Sequence, residues 1–467
     1  MKFTRAFFLL LSFSFLCTAC FEDQDDVRVA ASTAEIQDFI YRGLDFTYLY
    51  KSDVPQLAED AFADENAYTN FLQSYATPEA LFDELIFQEE DRFSFLIEDY
   101  RVLEEALNGI SLNNGMEFGL VQLQENGQIF GYVRYVIPNS SADQQGVKRG
   151  MLFNRVDGTT FTENNFNDLL SPNSYTIGLA SFDGENLNDL PETITLTKQE
   201  LTENPVYIAK TLDVESQQIG YLMYNGFTRT FDDDLNAAFA DFKAQGISDL
   251  VVDLRYNSGG SIETSNDLAS MITGQFQGDL FSTQVYNENF EDEELLFNTE
   301  VSSGGSINSL NLNRVYVLTT SSTASASELL ISSLRPYIEV IQIGDVTTGK
   351  FQGSTTLYDS PDFSRNNVNI GHRYAMQPLI LKSVNANGFT DYVDGLTPTI
   401  QQKEDFFNLG ELGDPQEPLL QTAINTIIGG GRPFYSSSSV REFSELGNSD
   451  MSSPIYQRMY VDFKVQE

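Results

Sequence analysis

Apolar residues recur at helical spacing early in the chain. Ile36, Phe39, Ile40 and Leu44 share one face, and the pattern predicts helices over residues 36–50 and 55–75 and, richer in acids, over 82–107. Residues 33–108 thus read as an N-terminal helical segment whose aromatic stripes face a core. From Gly115 the period shortens to two. The stretches MEFGLVQL and GQIFGYVRYVIP alternate as half-buried strands do, with Gly and Pro between them, so residues 109–200 are expected as a β domain.

From 205 to 428 strands and helices alternate. Residues 218–224, 249–254, 314–319 and 338–343 predict strands; 234–243, 262–272 and 325–334 predict helices, the first with Leu235, Ala238, Phe239 and Phe242 on one face. Such alternation predicts an α/β core with a mostly parallel sheet, whose functional groups lie at the carboxyl ends of the strands. Two segments fall there: the turn Asn257-Ser258-Gly259-Gly260 and residues 320–328. Residues 275–313 read as an inserted hairpin with a solvated acidic turn at 291–294. Gly429–Gly431 and Ser436–Ser439 predict a linker opening a tail over 429–467. The expected fold class is multidomain α+β.

Composition narrows the chemistry. The 467 residues carry 68 Asp plus Glu against 27 Lys plus Arg, a net charge of −41, which excludes a nucleic-acid partner by repulsion of phosphate. The 2 Cys, Cys17 and Cys20, both lie in the first twenty residues. This excludes a disulfide framework, a cysteine zinc site and a thiol nucleophile in the body of the chain. With 1 His, any histidine triad must use His372. At the N-terminus, Lys2 and Arg5 precede an apolar run over 6–16, too short to span a bilayer but suited to a signal. Thr18 and Ala19 then lead into Cys20. The arrangement resembles a bacterial lipoprotein signal, although Cys17 stands where that pattern prefers Leu. It implies a signal peptide over 1–19, lipidation of Cys20, an acidic tether over 20–32, and a membrane contact through that lipid anchor in the cell envelope, at the outer membrane.

The segment Ser321–Glu328 (SSTASASE) follows a strand and opens a helix, where backbone amides favour developing negative charge. Ser325 there suits a nucleophile. Ser325 and Glu328 also have the S-x-x-E spacing of a capping box, which needs no catalysis. A serine nucleophile needs a base, and with His372 isolated the candidates are carboxylates and lysine; a lysine serves only when neutral. Lys350 follows an apolar strand and the turn 344–349 and can point back toward that sheet edge. Residues 344–350 also fit G-x-x-x-x-G-K, but Phe351 stands where a phosphate-binding loop needs Ser or Thr.

Together the stretches Thr323–Glu328 (TASASE), Leu250–Gly260 (LVVDLRYNSGG) and Ile343–Lys350 (IGDVTTGK) resemble the C-terminal processing peptidases, or tail-specific proteases, over residues 35–400. The resemblance implies a ClpP/crotonase-like protease core and a Ser–Lys endopeptidase. Ser325 would be the nucleophile and Lys350, 25 residues later, the base. The oxyanion hole would come from Gly259 or Gly260 with Ala326. Many members place Gln four residues after the Lys; here that position is Ser354, with Gln352 two residues earlier, so either would be the third member. The β domain resembles a bacterial PDZ domain, through Gly146–Gly158 (GVKRGMLFNRVDG), with Phe118, Gly119, Leu120 and Val121 expected to bind the terminal carboxylate of a peptide added as a strand. Protein or peptide substrates are implied, with no metal or organic cofactor; nothing in the sequence specifies self-association. The alternative is a catalytically inactive, PDZ-containing peptide-binding lipoprotein.

Overall fold

The computed structural model describes residues 30–429 and 443–462. The signal, Cys20 and most of the proposed linker lie outside the described residues. Among those described, no helix is long and apolar enough to cross a membrane.

A six-stranded sheet forms the centre of the core, in the order Val206–Val214, Gln217–Tyr224, Asp249–Asp253, Arg314–Thr319, Glu339–Gly344, Ile400–Gln401. The first pair is antiparallel and the remaining neighbours run parallel. The strand DLVVD is buried at every position, because both faces of the sheet are covered. Leu250 and Val252 join one apolar cluster with the helices Asp232–Gln245, Ile262–Ile272 and Ala326–Leu334. Val251 faces the opposite cluster, which contains the helix Pro418–Ile428 and Tyr135 and Ile137 of the β domain.

A second six-stranded sheet packs against the core, with Phe281, Ile380, Leu381 and Met459 in its apolar cluster. Its order is Gly260–Ser261, Met459–Tyr460, Gln352–Ser354, Leu379–Asn385, Leu280–Tyr286, Glu293–Leu296. The expected hairpin is its outer edge, and Glu293 and Glu294 belong to a strand rather than to the turn. The β domain is a further sheet in which Met116–Leu123, Ile129–Val136, Leu152–Val156, Ser174–Phe182 and Leu187–Thr197 pair antiparallel.

The N-terminal segment is more broken than its periodicity predicts. Its helices are Thr33–Thr47, Glu65–Gln73, Pro78–Leu85 and Tyr100–Leu107, with a strand at Phe95–Ile97. Polar caps at Asp64, Thr77 and Asp99, and Pro78 at the first helical turn, restart the chain each time. Nor does the segment stand alone. Phe95–Ile97 pairs with Ala375–Gln377, and Phe39, Leu81 and Phe82 pack in one cluster with Leu357, Met376 and Leu379.

Candidate active site

The strands Asp249–Asp253, Arg314–Thr319 and Glu339–Gly344 are adjacent, and their carboxyl ends lead into the Asn257–Gly260 turn, Ser325 and Lys350 respectively. Parallel pairing therefore gathers three segments distant in sequence onto one edge. Asn257 ties two of them together. Its side chain accepts from Gly259 N at 2.9 Å, and its carbonyl accepts from Ala324 N and from Ser327 Oγ, each at 3.1 Å.

Ser325 is fully buried and sits at φ 64°, ψ −115°, a region costly for a residue with a Cβ, by about 1–3 kcal/mol. The capping arrangement expected from S-x-x-E forms only by half. Ser325 N donates to Glu328 Oε2 at 2.7 Å, whereas Ser325 Oγ has no hydrogen-bond partner. The hydroxyl is thus not spent on the helix that follows.

Glu328 does more than cap. Its Oε2 also accepts from Lys350 N at 2.9 Å, and its Oε1 accepts from Gly349 N at 2.7 Å and from Thr347 Oγ1. One buried carboxylate therefore holds the backbones of both Ser325 and Lys350. Burial raises its pKa, opposed by these hydrogen bonds.

Lys350 is fully buried. Its Nζ lies 4.7 Å from the centre of the Phe93 ring and donates to the carbonyl of Gln457 at 2.9 Å. Desolvation, and secondarily the Arg458 guanidinium, push its pKa well below the ordinary 10.5, against smaller opposing effects of Asp91 and Glu328. The neutral amine needed for a base is thereby favoured.

Of the two glycines, Gly260 offers its amide to the cleft, donating to Arg458 O at 2.7 Å, while the Gly259 amide is held by Asn257. Gly259 matters for its missing side chain. At φ 116°, a Cβ there would stand 2.6 Å from Ser325 Cβ and 2.4 Å from Arg458 O. Gly259→Ala is accordingly expected to lower kcat on the order of 10²–10³-fold by displacing the expected oxyanion site, read from initial rates with circular dichroism as the control for folding. Ala326 is buried as the first residue of the helix after Ser325.

Other expected residues lie elsewhere. Among the described residues, the hydrogen-bond partner of Lys350 Nζ is the Gln457 carbonyl, and neither Gln352 nor Ser354 reaches it. Both sit on the strand Gln352–Ser354, which carries Gln352 Nε2 to Tyr50 Oη at 2.9 Å and Ser354 Oγ to Met459 O at 3.1 Å. His372 bonds Asp359 and accepts from Tyr374 N, packed near Phe39. Residues 344–350 lead into a strand, not the helix that a phosphate-binding loop requires. Phe118, Gly119, Leu120 and Val121 form no free loop. They lie inside Met116–Leu123, and the edge expected to receive a peptide already pairs antiparallel with Phe443–Asn448 of the same chain.

Sequence reasoning missed the contributions of the two ends of the chain. Phe93 and Asp91 come from the N-terminal segment, where Arg92 also donates to Gly349 O at 3.1 Å, and Gln457 and Arg458 come from the tail. The one available signal was the run of aromatic residues after Phe87, which helical periodicity absorbed.

The chain matches known proteins in the same regions. The model of Peptidase family S41 matches residues 218–377, and that of the Peptidase S41 N-terminal domain matches residues 35–95. A carboxyl-terminal-processing protease of Synechocystis is 23% identical over 254 residues, covering 54% of each chain. A chloroplastic C-terminal processing peptidase of Tetradesmus obliquus is 27% identical over 225 residues, covering 46% of each. The matches thus span about half the length of these curated relatives. Among solved structures, a Bacteroides fragilis protein described as an S41 protease superposes with a TM-score of 0.66 at 25% identity, over 84% of this chain and 97% of that one. The photosystem II D1 C-terminal processing protease shares the fold, with a TM-score of 0.50 at 19% identity over 84% and 97%.

Proposed function

Because residues 218–377 and 35–95 match the models of peptidase family S41 and of its N-terminal domain, we propose that the chain is a lipid-anchored envelope serine endopeptidase that cleaves unfolded or tagged proteins near their C-termini. The observation that carries the reading is a buried lysine, depressed in pKa, whose backbone shares one carboxylate with that of a serine held free of helix capping.

In the proposed mechanism the neutral Lys350 amine takes the Ser325 hydroxyl proton as Oγ attacks the scissile carbonyl. The carbonyl π electrons move to oxygen, and the amides of Gly260 and Ala326 hold that oxyanion. Collapse of the tetrahedral intermediate breaks the C–N bond, and the Lys350 ammonium protonates the leaving amine. A water then attacks the acyl-serine carbonyl and gives its proton to Lys350; collapse breaks the C–Oγ bond, and the Lys350 ammonium returns the proton to Ser325 Oγ. The PDZ-like β domain would present the substrate's terminus by strand addition to Met116–Leu123 in place of Phe443–Asn448, which occupies that edge here. Cys20 would carry the lipid that places this chemistry at the membrane.

The test uses protein from residue 21 onward and its Ser325→Ala form, each incubated with an unfolded protein and read by mass spectrometry. Fragments from the wild type alone are expected. No fragments from either, with both folded and retaining the substrate's C-terminus, would instead favour the inactive peptide-binding lipoprotein.

A further inference from the structure

We propose that residues 443–462 are a tethered internal inhibitor, lying as a substrate strand would across both the β-domain edge and the catalytic cleft, which an incoming chain must displace before Ser325 can act. The inference rests on the peptidase reading above, and its test separates the two.

The segment occupies both places at which a peptide would be held. Phe443–Asn448 adds as an antiparallel strand to Met116–Leu123, where Ser449 Oγ accepts from Phe118 N at 3.2 Å. Farther along, Met459–Tyr460 inserts between Gly260–Ser261 and Ser354 and pairs parallel with each. It thereby joins two strand edges, one following the oxyanion turn and one following Lys350. Side chains anchor both ends. Leu446 and Met451 pack against the β-domain core, and the Arg458 guanidinium lies 4.5 Å from the centre of the Phe95 ring.

The seating is substrate-like but unproductive. The Arg458 carbonyl takes the hydrogen bond of Gly260 N, as a scissile carbonyl would. Attack on it requires Ser325 to pass its proton to Lys350. Instead, Lys350 Nζ donates to the preceding carbonyl, that of Gln457 at φ 53°, and Ser325 Oγ has no partner. The occupied Gly260 amide and the diverted base together describe an inhibitor.

The contacts also favour release over permanent anchorage. Half-buried Asp450 lies in the region of buried Glu117 and half-buried Glu203, and burial followed by repulsion from Asp450 raises the pKa of Glu117. Confining three carboxyls together is costly. A cavity of about 550 Å³ runs beside the segment, lined by Gly259, Gly260, Asp450 and Tyr460.

The test compares the full chain with Leu446→Asp/Met451→Asp, which loosens the β-domain end, and with Arg458→Lys, which weakens the stacking on Phe95 at the cleft end while keeping a positive charge beside Lys350. The substrate is reduced, alkylated α-lactalbumin, with melting curves as folding controls. Both variants are expected to cleave roughly 10- to 100-fold faster, as when a competent state populated at about 1–10% becomes the main one. A synthetic peptide of residues 443–462 added in trans is expected to inhibit them. Rates at or below wild type in both folded variants would overturn the proposal. So would the loss of residues after Arg458 from the wild type but not from Ser325→Ala, because the segment would then be a substrate. Should none of the forms cleave, the peptidase reading fails and fluorescence anisotropy decides the inhibitor reading. The labelled 443–462 peptide must bind the loosened Ser325→Ala chain more tightly than Ser325→Ala alone; equal binding overturns it.

Discussion

Lys350→Met will abolish turnover and yet raise the melting temperature at neutral pH. The loss expected on removing the general base is about 10⁴-fold or more in kcat. Methionine keeps the long apolar stem against Phe93 without an amine to desolvate. The stability effect follows from linkage. In the unfolded chain Lys350 titrates near 10.5, whereas in the fold its pKa lies well below that value. Between the two, the unfolded state binds the extra proton, so stability rises with pH through this window and falls as pH drops toward the depressed value. Removing the group removes that slope. In the wild type, kcat/KM is expected to rise with pH as Lys350 loses its proton. Paired pH–rate and pH–melting profiles of the two proteins check both statements. Full activity in Lys350→Met would end the dyad mechanism, and unchanged pH dependence of melting would show that the lysine is not neutralised by the fold.

Glu328→Ala is expected to be the second most damaging change, although Glu328 is a positioning residue. It leaves the N–H groups of Ser325, Gly349 and Lys350 without their acceptor in a buried site. Each unpaired buried donor costs about 1–3 kcal/mol, so a fall in melting temperature is expected. The same loss frees the backbones of Ser325 and Lys350, the proposed nucleophile and base, to drift apart. A misplacement of about 1 Å costs on the order of 10²-fold, seen in kcat more than in KM. Glu328→Gln keeps one acceptor oxygen but turns an NH₂ group toward backbone donors, and it should fall between wild type and Glu328→Ala in both readouts. Calorimetry with steady-state kinetics on the three proteins checks the order. A melting temperature lowered without any change in kcat would reduce Glu328 to a structural cap.

Glu328 also shows how far local spacing can be read. S-x-x-E predicts two reciprocal hydrogen bonds at a helix start, and the structure makes one of them. The hydroxyl half fails because Ser325 takes a positive φ, and a backbone conformation imposed by the surrounding packing is not written in a four-residue pattern. Residues 82–107 give a second case. Their apolar spacing suits a helix, yet Phe95–Ile97 is a strand because Ala375–Gln377 supplies its hydrogen bonds from far along the chain. Propensity yields there to a distant partner.

What the sequence by itself determined is local and periodic. Apolar runs set the core strands, with 249–254 expected and Asp249–Asp253 observed, and 314–319 recovered as Arg314–Thr319. The turn Asn257–Gly260, the helix start after Ser325 and the glycine-bounded loop before Lys350 were legible because each needs particular residues at particular backbone positions. Only the tertiary structure decided what surrounds them. It buries Lys350 under Phe93, joins Lys350 to Ser325 through Glu328, chooses Gly260 over Gly259 as the amide facing the cleft, and lays residues 443–462 across it. The physical reason is that burial and strand pairing between distant segments depend on which surfaces meet after folding. Desolvation, which most strongly governs the lysine's pKa, arises only when they do.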